Sequence, residues 1–110
     1  MTDYYATPAA RLGGFTTGKA ALEGTFSANG STAWFTAPAD KLFNISFSNP
    51  AGATVKLQRS FDEGATVYDV TDAEWTTAFS GSWFEPETGV WQRLTVANYA
   101  STAIDYRVSA

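Results

Sequence analysis

Apolar and polar residues alternate over several short stretches of this chain. The clearest is 42–48, in which Phe43, Ile45 and Phe47 share one face and polar residues occupy the other. Residues 103–109 alternate in the same way. Because side chains of a strand point alternately to opposite faces, this period indicates strands that bury one face and expose the other. No window has convincing helical periodicity, so the pattern predicts an all-β fold.

Turn signals separate these stretches at short intervals. They divide residues 20–110 into about eight short strands, a spacing that is typical of a β-sandwich. Separate strands are expected at 66–70, 74–79 and 82–84. The prediction is a single antiparallel β-sandwich domain at 20–110, of jelly-roll or immunoglobulin-like type.

The stretch Ser60–Thr66 predicts a β-hairpin whose turn is stabilised by its own side chains. Gly64 can adopt the positive φ angle that a tight turn requires, and Asp62 can accept hydrogen bonds from backbone N–H groups of the same turn. The spacing S-x-D-x-G-x-T resembles the Asp-box motif, although Val67 stands where an aromatic residue is usual. That resemblance implies a structural role for Asp62 and Gly64, since Asp boxes stabilise turns and usually lie away from active sites.

Residues 1–19 lack the strand period and are interpreted as an N-terminal arm. Tyr4, Tyr5, Leu12 and Phe15 are large apolar side chains that are costly to leave in water. We therefore expect them to contact a binding partner. A frayed terminus is the alternative interpretation.

Composition excludes several classes of function. The net charge is −4 and the seven Lys and Arg residues form no run, so no nucleic-acid partner is expected. The chain has no Cys and no His, so neither a metal site nor a cofactor is expected. No apolar run approaches a membrane span and no signal pattern precedes the domain, which predicts synthesis in the cytoplasm and no membrane partner.

An enzymatic function would have to rely on carboxylates. Asp62 with Glu63, or Glu85 with Glu87, are pairs of the type used in glycoside hydrolysis. Both pairs fall in turn-like segments, where acidic residues are common, and no other residues are arranged around a nucleophile. The chain is therefore predicted not to be an enzyme.

Aromatic residues make up 15% of the chain, and charged residues only 16%. Trp83 and Trp91 flank a predicted turn, so they are candidates for an exposed aromatic patch on one hairpin. The alternative is that both are core or cross-strand residues. Sugars stack on exposed rings, so such a patch would suit a carbohydrate-binding module.

Three motifs in the C-terminal half carry a broader resemblance. They are V-K-L-Q-R-S-F-D-E-G-A-T at 55–66, G-V-W-Q-R-L at 89–94 and I-D-Y-R-V-S at 104–109. In this order they resemble a group of small virion proteins of tailed bacteriophages, which decorate the head or form surface projections. The resemblance implies a capsid decoration protein that is located on the virion and whose partner is the major capsid protein.

Self-association is also expected. With so little charge, a monomer cannot separate all its apolar side chains on the surface, and a homotrimer would match the threefold positions that decoration proteins often occupy. The alternative function is a glycan- or host-surface-recognising module of a fibre or surface projection.

Overall fold

The computed structural model describes residues 9–11, 21–36 and 41–109, and all the secondary structure in these ranges is β. The strands are β1 (Ala9–Arg11), β2 (Ala21–Phe26), β3 (Gly30–Ser31), β4 (Trp34–Thr36), β5 (Lys41–Phe47), β6 (Thr54–Ser60), β7 (Tyr68–Trp75), β8 (Phe79–Glu85), β9 (Trp91–Ala97) and β10 (Ile104–Ser109).

The strands form two sheets. Sheet A has the order β1-β4-β9-β6-β7, with the two-residue strand β3 also paired to β9, and sheet B has the order β2-β10-β5-β8. All pairings between described strands are antiparallel except that of β1 with β4, which is parallel. The prediction of an all-β sandwich is confirmed.

The core consists of apolar side chains that the two sheets turn toward each other. The alternation in 42–48 is realised in β5, where Phe43, Ile45 and Phe47 are buried. Contacts between the sheets include the edge-on rings of Phe35 and Phe43, whose centroids are 5.8 Å apart. The buried cluster comprises Phe26, Phe35, Phe43, Ile45, Phe47, Ala53, Val55, Leu57, Ala73, Leu94, Val96, Ile104 and Val108.

The predicted boundaries between 66 and 85 are wrong. A single strand, β7, replaces the two strands expected at 66–70 and 74–79, and Phe79 opens β8 instead of ending the preceding strand. The register of β7 on β6 shifts between Lys56 and Gln58, and Asp72 has a φ of 66°. The polar residues around Asp72 therefore form a bulge within one strand. In the sequence, such a group of polar residues has the same pattern as a break between two strands.

Within the predicted N-terminal arm, β1 is an edge strand of sheet A. Its residues Ala9, Ala10 and Arg11 pair with Trp34 to Thr36 of β4. The arm residues Tyr4, Tyr5, Leu12 and Phe15 lie outside the described residues.

Candidate functional site at one end of the sandwich

The turn between β6 and β7 is organised by two side chains, Ser60 and Asp62. The Ser60 hydroxyl donates to Asp62 Oδ1 at 2.8 Å and accepts from the Gly64 N–H at 2.8 Å. Asp62 Oδ1 also accepts from the Thr66 N–H at 2.7 Å. The Thr66 N–H, the Thr66 hydroxyl and the Ser60 hydroxyl lower the pKa of Asp62 below its ordinary value of 3.8, because each stabilises the carboxylate.

Two consecutive residues of this turn are left-handed. Glu63 has a φ of 61° and Gly64 a φ of 90°. Gly64 is also close to the indole of Trp34, since a Cβ built on it would lie 3.1 Å from Trp34 Nε1. The turn therefore packs against Trp34, and both the space and the backbone conformation at position 64 favour glycine.

Beneath the turn, the outer face of sheet A carries a stack of aromatic and charged side chains. The ring centroids of Trp34 and Trp91 are 6.1 Å apart, and the Arg93 guanidinium carbon lies 4.4 Å from the Trp34 ring centroid. Arg93 Nε also donates to Gln58 Oε1 at 2.9 Å. Asp69 accepts from Gln58 at 2.8 Å, and this hydrogen bond is the main cause of the lowered pKa of Asp69.

Trp83 and Trp91 do not form the aromatic patch expected from the sequence. Trp91 is only 3% exposed and lies in sheet A, whereas Trp83 lies in sheet B, and the Trp83 ring meets Trp75 of sheet A edge-on with centroids 5.9 Å apart. The segment between β8 and β9 passes from one sheet to the other instead of closing a hairpin. The expectation that the two rings are neighbours on one hairpin is therefore wrong.

A buried ion pair closes this end of the core. Arg59 Nη2 donates to both carboxylate oxygens of Glu85, at 2.9 and 2.7 Å, and the Glu85 side chain is 2% exposed. Gln92 Nε2 and the Glu87 N–H also donate to that carboxylate, the latter at 3.0 Å. With its oxygens occupied in this way, Glu85 joins β6, β8 and β9.

Among the described residues, the large apolar side chains that are exposed lie at this same end. Phe61 follows β6 and Tyr68 opens β7, and their ring centroids are 5.9 Å apart. Leu42 and Phe84 are register partners on the outer face of sheet B. Each of these four side chains is half or more exposed.

We call these four residues the apolar end. The ion pair between Arg59 and Glu85 shows that the ends of β6 and β8 lie together, so the two exposed pairs occupy the same end of the sandwich. Asp62, Glu63 and Glu87 are also exposed on the adjoining turns. The candidate site therefore consists of two exposed apolar pairs at one end of the sandwich, with acidic residues in the adjoining turns.

Sequence reasoning missed the apolar end, although part of its signal was present. Leu42–Phe43 and Trp83–Phe84 are pairs of adjacent large apolar residues within strands. Adjacent side chains of a strand point to opposite faces, so one member of each pair has to leave the core. No comparable signal links Arg59 to Glu85, because these residues are far apart in the chain.

Neither a cluster of metal-ligating side chains nor a membrane-spanning helix is found among the described residues. No group of three or more Asp, Glu, His or Cys residues there is arranged to hold a metal ion. None of the described residues belongs to a helix long and apolar enough to cross a membrane. Comparison of the chain with protein-family models, curated proteins and solved structures found no match.

Proposed function

We propose that the protein is a non-enzymatic structural protein of a tailed-bacteriophage virion that binds the assembled capsid and stabilises it. The observation that carries the proposal is the apolar end, where Leu42, Phe61, Tyr68 and Phe84 are exposed at the same end of the sandwich. Monomeric soluble proteins rarely leave large apolar side chains grouped on one surface unless that surface binds something. The resemblance of the C-terminal half to phage virion proteins supplies the class of partner, the major capsid protein.

Burial of the apolar end supplies the driving force for this proposed contact. Removing apolar surface from water contributes about 25 cal/mol per Å². One copy gains a modest free energy, and many copies on an icosahedral particle strengthen the particle as a whole, because each would bridge neighbouring subunits. The acidic loops beside the apolar end favour a partner surface that has an apolar centre and a basic rim.

Binding to capsids purified from the phage that encodes the chain tests this function. Leu42→Asp introduces a charge at the most exposed of the four residues of the apolar end. We expect this variant to lose co-sedimentation with capsids and to lose its protection of capsids against heat. Ser101→Asp is the matched control, because Ser101 is exposed in the segment between β9 and β10 at the opposite end of the sandwich. Equal capsid binding by both variants would contradict a contact through the apolar end.

A glycan-binding module is the second candidate function. The exposed rings of Phe61 and Tyr68 favour it, with the guanidinium of Arg59 4.8 Å from the Phe61 ring centroid. These rings, and not the buried Trp91, are the candidate surface on which a sugar would stack. Titration with a panel of sugars, followed by chemical-shift mapping, distinguishes the two functions. Shifts centred on Tyr68 would support glycan binding, and their absence together with capsid binding would support the virion function.

We also propose that the protein forms a homotrimer on the capsid and that its N-terminal arm contacts the capsid protein. A threefold arrangement concerns copies that are seated on a capsid, where capsid contacts hold them in place. Tyr4, Tyr5, Leu12 and Phe15 are proposed as additional contacts with the capsid protein.

A further inference from the structure

The four outer strands of the two sheets differ in how well they are protected from pairing with another chain. Exposed edges are usually protected by shortness, charge or bulges. In sheet A, β1 has three residues, and β7 carries a bulge together with the exposed acids Asp69 and Glu74. In sheet B, β2 carries Glu23, which is ion-paired with Arg107.

Strand β8 has none of these protections. It pairs with β5 without interruption over all seven of its residues and contains no proline and no lysine. Its one charged residue, Glu85, is buried in the ion pair with Arg59. Among the described strands, none pairs with the outer side of β8, so this edge of seven residues has no exposed charge and no strand partner among them.

Half-buried aromatic side chains line the core beside this edge. Trp75 stacks on Phe79 with ring centroids 4.7 Å apart, and Trp83 meets Trp75 edge-on. All three side chains are only partly buried. A chain that pairs with β8 would cover these rings as well as the free backbone groups, so the edge offers both hydrogen bonds and apolar area.

We propose that β8 pairs with β8 of a second copy, antiparallel and about a twofold axis at Ser82. Ser82 is the middle residue of the strand, so this register pairs the strand over its whole length. Ser82 then lies opposite Ser82 of the second copy, and Ser80 lies opposite Phe84 of the second copy. The two four-stranded sheets join into one sheet of eight strands.

Self-complementarity favours a second copy as the occupant. A twofold pairing places identical strands against each other, so any exposed charge near the axis would face its own image. Phe79 to Phe84 carry no charge, so the pairing meets no repulsion even though the chain has a net charge of −4. The half-buried aromatic clusters also meet across the axis. This inference does not rest on the proposed capsid function.

Charge substitution at Ser82 tests the proposal. The wild-type protein is expected to have twice the chain mass in light scattering and native mass spectrometry. In Ser82→Lys, two lysines would face each other with Cβ atoms about 4.5–5.5 Å apart, and in Ser82→Glu two carboxylates would do so. Each variant alone is expected to have the mass of one chain. An equimolar mixture of the two is expected to recover the double mass as a heterodimer.

Thr71→Lys is the matched control. Thr71 is exposed on the bulged edge strand β7, so its substitution adds the same charge at an edge that is not expected to pair. This variant should keep the double mass. Circular dichroism and thermal unfolding of all variants report whether a change of mass reflects a loss of folding. Recovery of the double mass in the mixture of the two Ser82 variants would itself require that both are folded.

The remaining outcomes overturn the proposal. A wild-type mass of one chain at all concentrations would exclude the pairing, and loss of capsid binding by Ser82→Lys in that case would assign β8 to a strand of the capsid protein. A wild-type mass of three chains, or a polydisperse mass, would exclude a closed twofold dimer. A dimer that persists in both Ser82 variants would place the interface elsewhere.

Discussion

The indole of Trp34 lies against Gly64 so closely that a Cβ on Gly64 would be 3.1 Å from Trp34 Nε1. The turn after β6 therefore sits directly on the outer face of sheet A. The same indole contacts Trp91 and the Arg93 guanidinium on its sheet. A local turn and a long-range aromatic contact thus constrain one another at this position.

Gly64→Ala is expected to destabilise the protein, because alanine is strained at a φ of 90° and its methyl group would press on Trp34. The expected loss in the free energy of unfolding is about 1–3 kcal/mol. Urea unfolding followed by tryptophan fluorescence measures it. Gly30→Ala is the control, since a Cβ at Gly30 meets no atom within 4 Å. A loss of similar size in both variants would contradict the combined role assigned to the backbone conformation of Gly64 and its contact with Trp34.

Glu85→Ala is expected to lower the free energy of unfolding by about 3–5 kcal/mol, because it leaves Arg59 without its partner at the end of the core. The lower value is expected, since the Arg59 side chain is 27% exposed and keeps some contact with water. Thermal and chemical unfolding measure this loss.

The matched control for that variant is Glu23→Ala. It removes the ion pair of Glu23 with Arg107, in which both side chains are more than one third exposed. The expected loss is about 0–1 kcal/mol. If the two substitutions cost the same, burial does not set the strength of the Arg59–Glu85 pair.

Stability is expected to fall with acidification below about pH 4, near the ordinary pKa of aspartate. The pKa of Asp62 is lower in the folded protein than in the unfolded chain, so the unfolded chain takes up protons first as the pH decreases. Asp69 acts in the same direction. Their contribution is present above the unfolded pKa and is lost as the pH falls through the folded pKa.

Asp62→Asn tests this assignment because it keeps an oxygen acceptor in the turn but removes the titration. The variant should lose less stability between neutral pH and pH 3 than the wild type, as measured by melting temperature. Asp62→Ala should be less stable than Asp62→Asn at neutral pH, because the Thr66 N–H then loses its acceptor. An unchanged pH profile in Asp62→Asn would contradict the assignment.

Deletion of residues 1–8 is expected to weaken capsid binding and to leave thermal unfolding unchanged. The deletion removes Tyr4 and Tyr5 but ends before β1, which begins at Ala9. Deletion of residues 1–11 also removes the partner of β4, so we expect it to lower the melting temperature as well. If capsid binding is undiminished after the shorter deletion, Tyr4 and Tyr5 do not contribute to the contact with the capsid.

The sequence by itself determined the class of fold and several of its strands. Phe43, Ile45 and Phe47 alternate with polar residues, and a two-residue period leaves a sheet with one buried face as the consistent structure. The turn at Asp62 could likewise be predicted from the sequence, because its hydrogen bonds join residues within four positions of each other. Both predictions rest on interactions between neighbours in the chain.

Only the tertiary structure decided which exposed and buried residues meet. Periodicity places Trp83 and Trp91 near one turn, but the path of the chain between the sheets separates them. The bulge at Asp72 depends on the pairing of β7 with β6, and the ion pair of Arg59 with Glu85 depends on the packing of sheet A on sheet B. A local pattern determines which face of a strand is apolar, whereas the neighbours of that face depend on the arrangement of the whole chain.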